Sequence, residues 1–127
     1  MPLDSRKLQS RVNKLRKSLN KFPKNPTVEQ VHDLRTRTRR VESILHGLEL
    51  DRSSNETTLL DELKPIRSRA GKVRDMDVLT AHIVRLGLKD DPDCVVRLVH
   101  HLGLERGRHA TKLHAGVQRT RRMCARA

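Results

Sequence analysis

The apolar positions of this chain fall at helical spacing almost throughout. Leu8, Val12, Leu15, Leu19 and Phe22 recur every three or four residues, so they share one face of a helix, and Pro23 and Pro26 then stop it. The pattern predicts a first helix over residues 3–22. Thr27 suits the N-cap of the next, because its hydroxyl can accept a hydrogen bond from a free N–H of the first turn. Val31, Leu34, Thr38, Val41, Leu45 and Leu48 follow at alternating spacings of three and four, the seam of a packed helix over residues 28–50. The polar run Asp51, Arg52, Ser53, Ser54, Asn55 reads as a surface loop.

Leu59, Leu60, Leu63, Ile66 and Ala70 give a third stripe ending at Gly71, with Pro65 expected to kink or break it because proline removes a backbone donor. Asp75 is placed to cap a fourth helix carrying Met76, Val78, Leu79, Ile83 and Leu86 and ending near Gly87. A last helix runs from about residue 92 towards 122 with Val95, Leu98, Leu102, His109, Leu113 and Val117 turned inward, while Gly103, Gly107 and Gly116 lower its intrinsic stability. Strand-like alternation, internal repeats and low-complexity tracts are absent from the sequence, and the loops are short. The expected architecture is an all-α antiparallel bundle of four to five helices, a single domain over residues 1–127. Residues 120–127 carry three arginines and are expected to fray.

Composition narrows the function. The 127 residues hold 28 Lys and Arg against 15 Asp and Glu, a net charge of +13 and a pI near 11.0. Apolar residues are nearly all aliphatic, with a single Phe and no Trp or Tyr. Readers of single-stranded nucleic acid stack bases on aromatic rings, so that class is disfavoured. The remaining partner is one made mostly of phosphate, either a duplex backbone or a phosphate polymer without bases. No apolar run approaches the roughly 20 residues of a membrane span. The first ten residues lack the apolar centre and cleavage site of a secretory signal, which gives the expectation of a cytoplasmic protein. Cys94 and Cys124 form no CxxC pair and are expected to be free thiols.

The positive charge is patterned along the helices. At about 100° per residue, His32, Arg35, Arg39 and His46 share a narrow arc beside the apolar seam of the second helix. Arg97, His101, Arg108, Lys112 and Arg119 do so on the last helix, and Lys7, Arg11, Lys14 and Lys21 on the first. A single stripe of this kind is an ordinary solvated border whose long side chains cover the core edge. Three stripes without interleaved acids point to a shared anion-binding groove, because a polyanion would relieve their mutual repulsion.

The string VHDLRTRTRR over residues 31–40, opening the second helix, resembles the conserved histidine α-helical domain (CHAD) family. A second family element is matched by KVRDMDVL over residues 72–79, in which Arg74, Asp75 and Asp77 fit an arginine-aspartate-hydrophobic-aspartate pattern. The resemblance covers most of the chain, the last helix matching only in its leucine and basic pattern. It implies an all-helical module that binds inorganic polyphosphate; with no catalytic constellation in the sequence the binding is expected to be non-catalytic, and a cytoplasmic protein of this kind is expected to associate with polyphosphate granules. The site residues it carries over are His32, Arg35, Arg39 and Arg40 from the first motif and Arg74 from the second; Arg108 and Lys112 are added by helical register. Family domains are about twice this length, built from two related helical halves, so the resemblance implies a half-length member: either two chains pair as a homodimer that restores the symmetry, the expectation favoured here, or an open basic face binds alone.

Two other classes compete with this reading. An enzyme would need a catalytic constellation, and the sequence has no HExxH, no glycine-rich phosphate loop and no nucleophile motif. His101, Glu105 and His109 have a spacing that could hold a metal, but His109 falls on the core stripe, and Asp75 and Asp77 read as structural partners of helix N–H groups and arginines. No cofactor or metal is expected. Duplex DNA is the alternative ligand, since a domain of this charge binds phosphate backbones weakly and non-specifically.

Overall fold

The computed structural model describes residues 5–47, 54–87 and 91–126. Its four helices are α1 (Ser5–Lys21), α2 (Val28–Gly47), α3 (Ser54–Leu86) and α4 (Pro92–Arg126). Each packs on its neighbours in the chain, and α4 closes the ring against α1, so α1 and α3 lie on one diagonal and α2 and α4 on the other. Between them sits a core of aliphatic side chains that includes Leu15, Leu19, Val31, Leu34, Val41, Leu45, Leu63, Ile66, Leu113 and Val117, with Phe22 at its edge. The all-α bundle and the inward stripes of α1 and α2 follow the periodicity of the sequence. Thr38, buried on the α2 seam, satisfies its hydroxyl by donating to the Leu34 carbonyl at 2.7 Å.

Local signals set the helix ends. The Gln30 N–H donates to the Thr27 hydroxyl at 3.2 Å while the Gln30 amide oxygen accepts from the Thr27 N–H at 2.9 Å, a reciprocal capping box at the start of α2. Asp91 caps α4 by accepting from the Cys94 N–H at 3.0 Å, with Pro92 in the first turn where a missing N–H costs nothing. Gly87 ends α3 in the left-handed region, φ 46°, and its N–H reaches back to the Ile83 and Val84 carbonyls.

Several expectations are corrected. The third and fourth helices are one, since α3 runs through both Pro65 and Gly71, and Asp75 lies inside it and caps nothing. Leu63, Ile66, Ala70 and Val73, spaced three, four and three, are all buried on one face across both residues. Burying a large aliphatic side chain contributes about 1.5–3 kcal/mol, so three of them outweigh the roughly 3 kcal/mol of an interior proline and 1 kcal/mol of a glycine. The last helix does not end near residue 122 but continues through Arg126. Its inward face is fully buried at Ala110, Leu113, Gly116, Val117 and Thr120, while Val95, Leu102 and His109 are half-buried and Leu98 is exposed. The expected loop is shorter than its polar run, since Ser54 and Asn55 already belong to α3; Leu3, Leu48, Leu50, the loop residues Asp51 to Ser53 and the Cys124 side chain lie outside the described residues.

The reason for the uneven burial is length. The α3 and α4 helices have 33 and 35 residues against 17 and 20 for α1 and α2. At 1.5 Å per residue the α3–α4 hairpin therefore overshoots the α1–α2 pair by about 20 Å. Arg106 marks the boundary. Its guanidinium pairs with Asp77 across the hairpin at 2.5 Å and donates to the Pro26 carbonyl in the α1–α2 loop at 2.7 Å. Asp77 thus has the structural role expected of it, as partner of an arginine 29 residues away.

Candidate anion-binding face

The basic flank of α2 meets α3 through Arg35. Val31, Leu34 and Thr38 turn α2 towards the core, which leaves His32, Arg35 and Arg39 along the edge that faces α3. Two turns apart on α3, Arg67 and Arg74 lie on one side of that helix, since seven residues bring the helix back to within about 20°. The Arg74 guanidinium approaches His32 Nδ1 to 3.5 Å, tying the two helices' motifs together. Arg35 is half-buried among these groups, and its Nε is a buried donor with no hydrogen-bond partner.

That arrangement is electrostatically costly. Burial lowers the Arg35 guanidinium's pKa from its ordinary value, and repulsion from Arg39, Arg74 and Arg67 lowers it further, with Asp75 opposing. An arginine's ordinary value lies so far above neutrality that the group stays charged all the same. The repulsion cannot be relieved by giving up a proton; a bound anion relieves it. Arg67 is partly compensated by the buried Glu42, at 3.2 Å, whose other carboxylate oxygen has no partner. Among the described residues no ion pair within 4.0 Å engages Arg35, Arg39, Arg40 or Arg74.

The cationic surface continues round α2 to its other flank. Arg39 and Arg40 line an open groove with Lys7 and Arg11 of α1, where the hydroxyls of Thr36 and Ser43 supply further polar groups. Arg39 belongs to both flanks, so the positive track runs unbroken from Arg74 on α3, across α2, to Lys7 on α1. Arg37 takes no part in it. Its guanidinium donates to the Ser18 hydroxyl and, at 3.3 Å, to the Lys14 carbonyl, pinning α1 to α2.

Of the residues expected at the site, His32, Arg35, Arg39 and Arg74 are thus gathered where α2 meets α3, and Arg40 joins Arg39 on the adjoining α1 flank. Arg108 and Lys112 are not. They are exposed on α4, which lies diagonally across the bundle from α2, and Arg108 is paired with Glu105 at 2.8 Å. Arg67 and Arg11 belong to the face although the motif matches did not include them. Among the described residues, no group of three His, Cys, Asp or Glu side chains is placed to hold a metal ion. No helix there is long and apolar enough to cross a membrane.

Comparison with protein families places these motifs. The model of the CHAD domain matches residues 6–126, nearly the whole chain. The chain belongs to the CHAD family. Both CHAD motifs thereby acquire a spatial meaning: His32 and Arg35 on α2 and Arg74 on α3 face one another across a helix–helix contact. No curated protein and no solved structure matches the chain.

Proposed function

We propose that this protein binds inorganic polyphosphate, without hydrolysing it, on the face formed by His32, Arg35, Arg39, Arg40, Arg67 and Arg74. CHAD domains are associated with polyphosphate binding, and this chain is a CHAD domain. The observation that carries the reading is Arg35, held half-buried among three other arginines with an unpartnered buried Nε. Such a cluster costs stability unless an anion of high charge density occupies it, and arginine's planar fork suits phosphate oxygens. A polymer of phosphates fits an extended track better than a single phosphate does, because successive charges engage Arg74, Arg35, Arg39 and the α1–α2 groove in turn. Polyphosphate needs no aromatic stacking, and the chain has a single Phe with no Trp or Tyr. On this reading the working unit is a homodimer that offers two such faces to one polymer, in the cytoplasm and at polyphosphate granules.

Competition at physiological salt between long-chain polyphosphate and duplex DNA, compared per charge, tests the reading. Polyphosphate is expected to win, and affinity should fall linearly with the logarithm of salt as counterions are released. A DNA preference would replace the proposal with duplex binding. Phosphate release above a no-protein control would contradict a non-catalytic role.

A further inference from the structure

Beyond the Arg106–Asp77–Pro26 contact the α3–α4 hairpin has no second layer among the described residues. Val84 lies three turns past Val73 on the same face of α3, within about 20° of it, and Val96 lies four turns before Ala110 on α4, within about 40°. Val73 and Ala110 are 0% and 2% exposed where α1 and α2 cover them, yet Val84 and Val96 are 59% and 67% exposed. The two valines therefore continue core faces into a region where no other described element covers them. Seven of the eight exposed large apolar side chains among the described residues lie in this distal part, the exception being Val28. By the same arithmetic Val84 and Val96 are the ones on the uncovered core side, the other five lying about 120° or more round their helices, so the hairpin is apolar on more than one side.

Charge is segregated in the same way. Residues 78–105 hold three Lys and Arg against four Asp and Glu, a net −1, whereas the rest of the chain holds 25 against 11, a net +14. The distal hairpin is thus the part of the molecule where two copies can meet without opposing like charges, and its projection keeps the two basic bodies apart.

We propose that the hairpin arms, residues 78–87 and 91–105, form the docking surface for a second copy of this chain, the two distal hairpins packing together as a four-helix layer. The missing layer is a pair of helices of the same length as the exposed part of the hairpin, and a second hairpin supplies it by construction. The contact is isologous, so Val84 and Val96 of each copy are covered by the other. This inference rests on the homodimer reading above and names its surface. It differs from a dimer built around the basic flanks, which would press charged surfaces together.

Sedimentation equilibrium of the full chain without polyanion, from about 1 to 200 μM at moderate salt, tests it. The mass is expected to rise from 14.6 kDa towards twice that value. Val84→Glu and Val96→Glu should each weaken dimerisation at least about tenfold with helicity unchanged, and Val28→Glu, at an exposed apolar position outside the hairpin, should leave it intact. Hydrogen exchange on the unaltered protein gives a reading free of any folding defect, with residues 78–87 and 91–105 becoming protected as concentration rises. A mass of 14.6 kDa throughout, a dimer that survives both hairpin substitutions, or protection confined to α1 and α2 would overturn the proposal. Polyphosphate titrations on the same samples separate the two claims: a monomer that binds polyphosphate removes the docking surface alone, and a hairpin dimer that does not bind removes the polyphosphate reading alone.

Discussion

Arg35 is the position where charge, burial and geometry conflict most. Its Nε is buried and unpartnered, its neighbours are Arg39, Arg67 and Arg74, and it cannot shed its charge near neutral pH. Replacing Arg35 and Arg39 together by Ala should weaken polyphosphate binding by about tenfold or more, some 1.4 kcal/mol or above. Replacing Lys14 and Lys17, exposed on α1, removes the same charge and should cost less than about threefold, since lysines there act as screened point charges. Calorimetric titration of the two double variants decides the matter, and equal losses would mean that only total charge counts. The same Arg35 and Arg39 substitutions should raise the stability of the free protein, because they remove repulsion that no ligand then offsets. Most of this cluster was legible in the sequence: the spacing of His32, Arg35 and Arg39 puts them on one edge of a helix whatever it packs against. Arg67 was not legible, because a helix thought to end at Gly71 cannot place Arg67 and Arg74 on one face. Recognising α3 as continuous is what makes their seven-residue spacing informative.

At the level of elements, α3 shows why local signals misled. Proline and glycine report the intrinsic cost of a helix, but the buried series Leu63, Ile66, Ala70 and Val73 reports what packing returns, and the second is larger. Pro65 is exposed, so Pro65→Ala should restore a backbone hydrogen bond without disturbing the core and stabilise the protein by about 1–3 kcal/mol. Urea denaturation measures this, and a loss of stability would show that the packing of α3 depends on a bend at Pro65. The cap of α2 makes the opposite case, because there the local signal and the structure agree. Thr27 and Gln30 sit in a short-range motif whose geometry depends on no distant partner. Thr27→Ala should cost about 1 kcal/mol by the same measurement. The last helix falls between these cases. Its periodicity gave the inward face correctly, but how far that face is covered depends on the lengths of α1 and α2, which no local pattern in α4 encodes.

Across the whole molecule, a net charge of +13 sets two opposed responses to salt. Screening relieves self-repulsion in the free bundle, so raising salt should raise its melting temperature. The same salt weakens polyanion binding through counterion competition, so the extra stability conferred by polyphosphate should shrink. At a free ligand concentration of about 100 times the Kd that extra stability is roughly 2.7 kcal/mol. Thermal scans with and without polyphosphate, at low and high salt, should therefore converge as salt rises. Parallel curves would show that polyphosphate acts by something other than charge. The molecule's division into a basic body and a near-neutral projecting hairpin was present in the sequence as a local charge count, but its meaning depended on knowing which part of the hairpin α1 and α2 leave uncovered.

The central claim is that the arginines of the α2–α3 face hold polyphosphate directly, and the arginine Nε–H resonances read this most directly. Titration of the nitrogen-15 labelled protein with polyphosphate of defined length should shift the Nε–H signals of Arg35, Arg39, Arg67 and Arg74 in a saturable way. The Arg35 signal should move furthest, because its donor starts unpartnered. Arg85, outside the cationic face near the end of α3, should not move. Small, non-saturating shifts shared by all arginines, or saturable shifts confined to Arg108 and its neighbours on α4, would contradict the account.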